Sequence, residues 1–281
     1  MPDDWYDKDL LSPTDPSDAR RSARRGGIWL LLAVLAAAAA VAAYLAFGNW
    51  ASPEQETAAI PAAPPAQPAR PLGGDPASVV LPPLDESDAL VRELVEKLSL
   101  HPRIAAWLAT DGLIRNYTVT VANVADGRSP APLLPVLRPS GSLQVIERGD
   151  GLYIDPQSFA RYNGLAEAVA SIDPGGAARL YATLKPRIEE AYGELGNPEP
   201  LFDRTLERAI VQILSTPIPN GQIAVEPTGI VYGYADERLE GLTPAQKQLL
   251  RMGPQNARTI QRSLREIALA LGIPRDRLPP G

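Results

Sequence analysis

Residues 28–47 read IWLLLAVLAAAAAVAAYLAF, and no charged side chain falls between Arg25 and Glu54. A run of about 20 apolar residues is long enough to cross a bilayer as an α-helix, the conformation that satisfies every backbone polar group internally. Trp29 and Trp50 bracket the run. At about 1.5 Å per residue they stand roughly 31 Å apart, the spacing of an aromatic belt at two membrane interfaces. Arg20, Arg21, Arg24 and Arg25 precede the run, whereas residues 49–69 contain neither Lys nor Arg. Positive charge on one flank predicts a cytoplasmic N-terminus and a C-terminal part on the far side. A cleaved signal peptide is the rival reading, but its apolar core is only about 7–15 residues long.

Working outward, residues 1–25 are acidic and proline-broken until the arginines, and predict a disordered cytoplasmic tail with a polybasic stop. Residues 26–48 form the expected spanning helix. Small residues such as Ala36, Ala40 and Ala43 within it offer close-approach spacings for a possible homodimer. Residues 49–82 hold eight prolines among Ala, Gln and Gly, the composition of a disordered linker. Residues 83–281 carry the globular signal.

The inventory narrows the chemistry. The chain has no cysteine, one histidine and a net charge of −6, and residues 83–281 are nearly balanced in sign. Disulfides and thiolate ligands are excluded, and a nucleic-acid partner is not expected, because neutralising phosphates requires a basic excess. His101, beside Pro102, reads as a helix-end residue rather than a catalytic base, since no G-x-S-x-G motif accompanies it. HExxH, P-loop, G-x-G-x-x-G and calcium-loop spacings are missing, so no metal, cofactor or catalytic residue is assigned.

The pattern from residue 83 predicts a helix-dominated α+β domain with two short β-hairpins. Leu90, Val91, Leu94, Val95 and Leu98 make one helical stripe, ended by His101-Pro102. A short helix over 103–109 follows. Leu113, Ile114, Tyr117, Val121 and Val124 recur at helical spacing, although residues 117–121 also alternate like a strand. Hairpins are expected at 143–155, turned by Gly149-Asp150-Gly151, and at 222–234. Between them lie helices over 156–171, 174–195 and 201–214, the second expected to kink or break at Pro186. Tyr181 and Tyr192 read as core and rim residues with hydroxyls reaching water. Thr243-Pro244-Ala245-Gln246 is a capping box with proline at the first helical position, and a last helix runs from about 254 to 271.

LPPLDESD at 81–88, FARY at 159–162, EAY at 190–192 with Leu195-Gly196, YAD at 234–236 with Leu239 and Glu240, and QKQLLRMGP at 246–254 with Asn256 resemble one family. It is an uncharacterised bacterial family of single-pass, membrane-anchored proteins, domain of unknown function number three thousand and fourteen. The resemblance implies an inner-membrane protein whose domain faces the periplasm, and brings no activity with it.

Two kinds of site are candidates. Arg258, Arg262 and Arg265 share one face of the last helix and suit an acidic envelope protein or an anionic envelope polymer. Arg24, Arg25, Trp29 and Trp50 are the membrane-interface residues. The expectation is an anchored interaction or scaffold domain. A carboxylate-dependent enzyme cleaving cell-wall glycan, with a pair drawn from Glu189, Glu190, Asp236, Glu237 and Glu240, is the alternative.

Overall fold

The computed structural model describes residues 71–196, 201–229 and 231–281. The expected spanning helix at 26–48, with Arg24, Arg25, Trp29 and Trp50, lies outside the described residues. Helices α1 (Asp88–Glu96), α2 (Pro102–Leu108) and α3 (Leu113–Ala125) come first. Strands β1 (Val145–Arg148) and β2 (Gly151–Ile154) lead to α4 (Pro156–Ala160), α5 (Asn163–Ala170), α6 (Pro174–Glu194) and α7 (Phe202–Leu214). Then come β3 (Ala224–Thr228), β4 (Val231–Tyr234), α8 (Glu237–Glu240), α9 (Pro244–Arg251) and α10 (Pro254–Ala270).

The helix starts follow local chemistry. His101 caps α2, its Nδ1 accepting from the Arg103 amide at 3.2 Å, with Pro102 just inside. Asp173 caps α6 through the Gly176 amide, and Thr243 and Gln246 form the reciprocal box on α9. At α3 the cap is tertiary. Gly112 stands at its N-cap with φ +68°, and two of the free amides at the helix start, of Gly112 and Leu113, donate to Asp88 on α1 at 2.7 and 2.9 Å.

The expected fold class is corrected on two counts. The hairpins are not separate: β2 pairs antiparallel with β3 through Leu152 opposite Val225 and Tyr153 opposite Ala224, giving one four-stranded sheet in the order β1-β2-β3-β4. Among the described residues, moreover, no helix is long and apolar enough to cross a membrane. The longest, α6, has 21 residues but is amphipathic, with Arg179 and Glu190 exposed and Lys185 and Arg187 paired with neighbouring segments. It also runs unbroken through Pro186, whose ring lies on the exposed side, while the opposite side of the helix holds Leu184 and Ile188 in the core.

Two apolar centres result. Phe202, fully buried, stands among Tyr117, Tyr181 and Tyr192, with ring centroids 5.9, 6.4 and 5.3 Å from its own. Around it α1, α3, α6, α7 and α10 make the helical core. The inner side of the sheet, Ile154, Val225 and Tyr234, packs with Ile223, Leu239 and Leu250 as the second. Pro227 is tolerated in β3 because β2 pairs only with the first two residues of that strand, leaving no partner that needs its missing N–H. Residues 71–82 lie along the helical core: Leu72 N donates to Asp203, Gly73 N to the Leu271 carbonyl and Ala77 N to Thr183 Oγ1.

Candidate functional site: an apolar slot in the helical core

Three helices run side by side with their ends matched by specific bonds. Asp88 on α1 holds the start of α3, and Arg115, near that start, donates twice to Glu194 at the end of α6. At the other end Leu98, just past α1, sits against Gly176 in the first turn of α6, so closely that a Cβ there would collide with it. Ser99 and Ser171 share a 2.7 Å hydrogen bond at the same end. Helices α1 and α3 are therefore parallel to each other and antiparallel to α6.

Between them lies a cavity of about 460 Å³, lined on its remaining sides by residues of α2, α7 and α10. Its lining holds no charged side chain and few polar ones, namely Ser99, Tyr117, Thr120 and Tyr181. Exposure differs along its length. Val91, Leu113, Ile114 and Ile188, at one end, are buried, Tyr117, Val121 and Leu180 along the middle are half-buried, and so are Leu98, Val124, Ile172, Ala177 and Ile213 toward the other end. The slot is blind beside Leu113 and opens near the Ser99–Ser171 bridge. Leu100, next to that bridge in sequence, is 86% exposed.

The polar groups on the walls are set for different roles. Burial pushes the Tyr117 phenol well above its ordinary pKa. Tyr181 is raised further, by burial first and then by its hydrogen bond to Asp203. Its hydroxyl thus meets a carboxylate rather than water, and Tyr192 meets the Thr205 hydroxyl at 2.7 Å. Thr120 Oγ1 is buried without a hydrogen-bond partner.

The residues singled out by sequence lie elsewhere. Arg258 donates to the Pro219 carbonyl and Asn220 Oδ1, and Arg265 to the Pro279 carbonyl, so these two fasten neighbouring segments to α10. Arg262 is exposed and makes no such bond among the described residues. The carboxylates are spent on structure. Glu189 accepts from the Phe202 amide, Glu190 from Arg187, Asp236 from the Arg238 amide at the start of α8, and Glu240 from Tyr234 N and Lys247. Glu237 is exposed on α8. None of the five lines the slot. Gly149 and Asp150 make the turn of the first hairpin, between the paired Arg148 and Gly151, with Gly149 at φ +58°. Among the described residues no group of three or more His, Asp or Glu is placed to hold a metal ion. The slot escapes sequence reading because its lining shares the 3.6-residue stripes of an ordinary core. Its signal is the number of stripe residues left half-buried once folded.

Fold and site together define a helix-rich α+β domain with a four-stranded antiparallel sheet and a blind apolar slot. The chain belongs to the family described as protein of unknown function (DUF3014), whose model matches residues 113–268. That span includes both hairpins and most of the slot wall. No curated protein and no solved structure gives a match.

Proposed function

We propose that this domain is an interaction module of the bacterial envelope that takes its ligand in the apolar slot, and that it is not a glycan-cleaving enzyme. The observation that carries the reading is the slot itself, 460 Å³ of uncharged space inside the size range of small-molecule sites. Glycoside cleavage needs two carboxyl groups facing across a sugar. The candidate acids instead hold backbone amides and cations outside the slot. The location that belongs to this reading is the outer face of the inner membrane. Its support is the clustering of arginine at 20–25 and its absence from 49–69.

Thermal unfolding of the full chain with naphthalene, a compact apolar probe, tests the module. The expected result is a rise in Tm that disappears in Val121→Phe, which narrows the slot. Release of product from purified wall glycan, lost when Glu189 or Glu240 becomes Gln, overturns it. A C-terminal reporter active only in the cytoplasm overturns the location.

A further inference from the structure

We propose that the slot holds one straight hydrocarbon chain, that of a long-chain fatty acid, inserted tail first with its carboxylate left at the mouth near Leu98 and Ile172. This rests on reading the domain as a binding module and goes on to name the ligand. Dimensions argue for it. The lining on α3 extends from Leu113 to Val124, which at 1.5 Å per residue is about 16 Å. Spread over that length, the cavity has a bore of roughly 28 Å², or about 6 Å across, room for one methylene chain in van der Waals contact with its walls and too little for two side by side. A dry cavity of about 150 Å³ takes the six carbons of benzene, so three times that volume has room for one long chain; drawn out straight, about thirteen of its carbons lie within a lining of about 16 Å and the rest emerge at the mouth.

The same dimensions dismiss other occupants. An α-helix with its side chains is about 10–12 Å across and does not enter. An extended peptide brings backbone amides into a lining that has almost nothing to pair with them. Water gains too few partners on these walls to fill the space. Polarity is also graded in the right sense. The end at Val91, Leu113 and Ile188 offers only hydrocarbon, whereas the Ser99 hydroxyl lies at the other end, toward the mouth. Exposed Leu100 beside the opening gives an emerging chain an apolar surface to follow.

Trp107 lines the slot and supplies the readout. The full chain, freed of bound lipid, is titrated with 9,10-dibromostearic acid, whose bromines quench tryptophan on contact. The emission of Trp107 is isolated by subtracting that of Trp107→Phe. The expected result is saturation at one equivalent, with more than half of the Trp107 emission lost. At least tenfold weaker binding is expected in Val121→Phe or in Leu180→Phe on the facing wall, whichever keeps the wild-type Tm. Quenching that never saturates, or that both variants leave unchanged, reports partition onto the surface and overturns the proposal. So does quenching by vesicles of brominated phosphatidylcholine without any by the free acid. If naphthalene raises Tm while the brominated acid leaves Trp107 unquenched, the fatty-acid assignment falls and the binding module stands. If neither acts, both fall.

Discussion

The Tyr181 hydroxyl donates a 2.5 Å hydrogen bond to Asp203, tying a wall of the slot to the first turn of α7. Lys185 Nζ reaches the other oxygen of the same carboxylate at 2.5 Å, and the Leu72 amide donates to it at 3.2 Å. Both charged partners are largely covered, so removing one strands the other. Asp203→Ala should lower stability by about 2–4 kcal/mol, and Tyr181→Phe, which leaves the ion pair in place, by about 1 kcal/mol. Urea midpoints of the two variants check the ranking, and equal losses would contradict it.

Alkaline stability reports the same wall. An unfolded tyrosine ionises near pH 10, while burial holds the proton on Tyr117 and Tyr181 above that value. The unfolded chain loses these protons first. Stability is therefore complete below about pH 10 and declines as pH climbs toward the folded values, by about 1.4 kcal/mol per pH unit for each tyrosine. Tyr117→Phe should make that decline shallower by one tyrosine's share, measured as urea midpoints between pH 9 and 11.5.

Gly253 joins α9 to α10 at φ +85°, and a Cβ there would collide with the ring of Phe159. Gly253→Ala combines a left-handed backbone with a clash, for an expected loss of about 2–4 kcal/mol. Adding Phe159→Leu should return part of it, because the clash is relieved while the backbone strain stays. Strict additivity of the two changes in a double-mutant cycle would refute the contact.

The arginines of α10 should separate by what they hold. Arg265→Ser removes a bond to a carbonyl beyond the helix and should cost about 1 kcal/mol, whereas Arg262→Ser, on the exposed face, should stay within about 0.5 kcal/mol of wild type. If Arg262 instead serves an acidic partner, retention of the chain on an anionic polymer falls in Arg262→Ser with Tm unchanged.

Local elements were legible because their causes are local. The stripe Val91-Val95, the cap at His101-Pro102 and the box at Thr243-Gln246 act within a turn or two, and the structure places helices at each. Residues 113–125, where helical spacing outweighs the strand-like alternation of 117–121, fold as α3, and a carboxylate 24 residues away holds its start, since Asp88 accepts the Gly112 and Leu113 amides. Pro186 was expected to interrupt α6 because propensity describes an isolated helix. Packing of Leu184 and Ile188 on the inner side keeps the helix whole.

The sequence by itself determined most of the elements from residue 83 onward, the missing thiols and the single imidazole, since composition and short-range spacing are written in the chain; the helix expected over 156–171 is divided into α4 and α5, and α8 was not expected. The union of two hairpins into one sheet, the conversion of Arg258 and Arg265 into struts, and the slot itself were decided only by tertiary structure. Each depends on residues brought together from far along the chain, as Leu152 is with Val225. Apolar periodicity tells which side of a helix turns inward. Whether the inward sides meet or leave room for a guest is set by how several helices are spaced, and here the bonds at Asp88, Arg115 and Ser99 fix the ends of the helices around the slot.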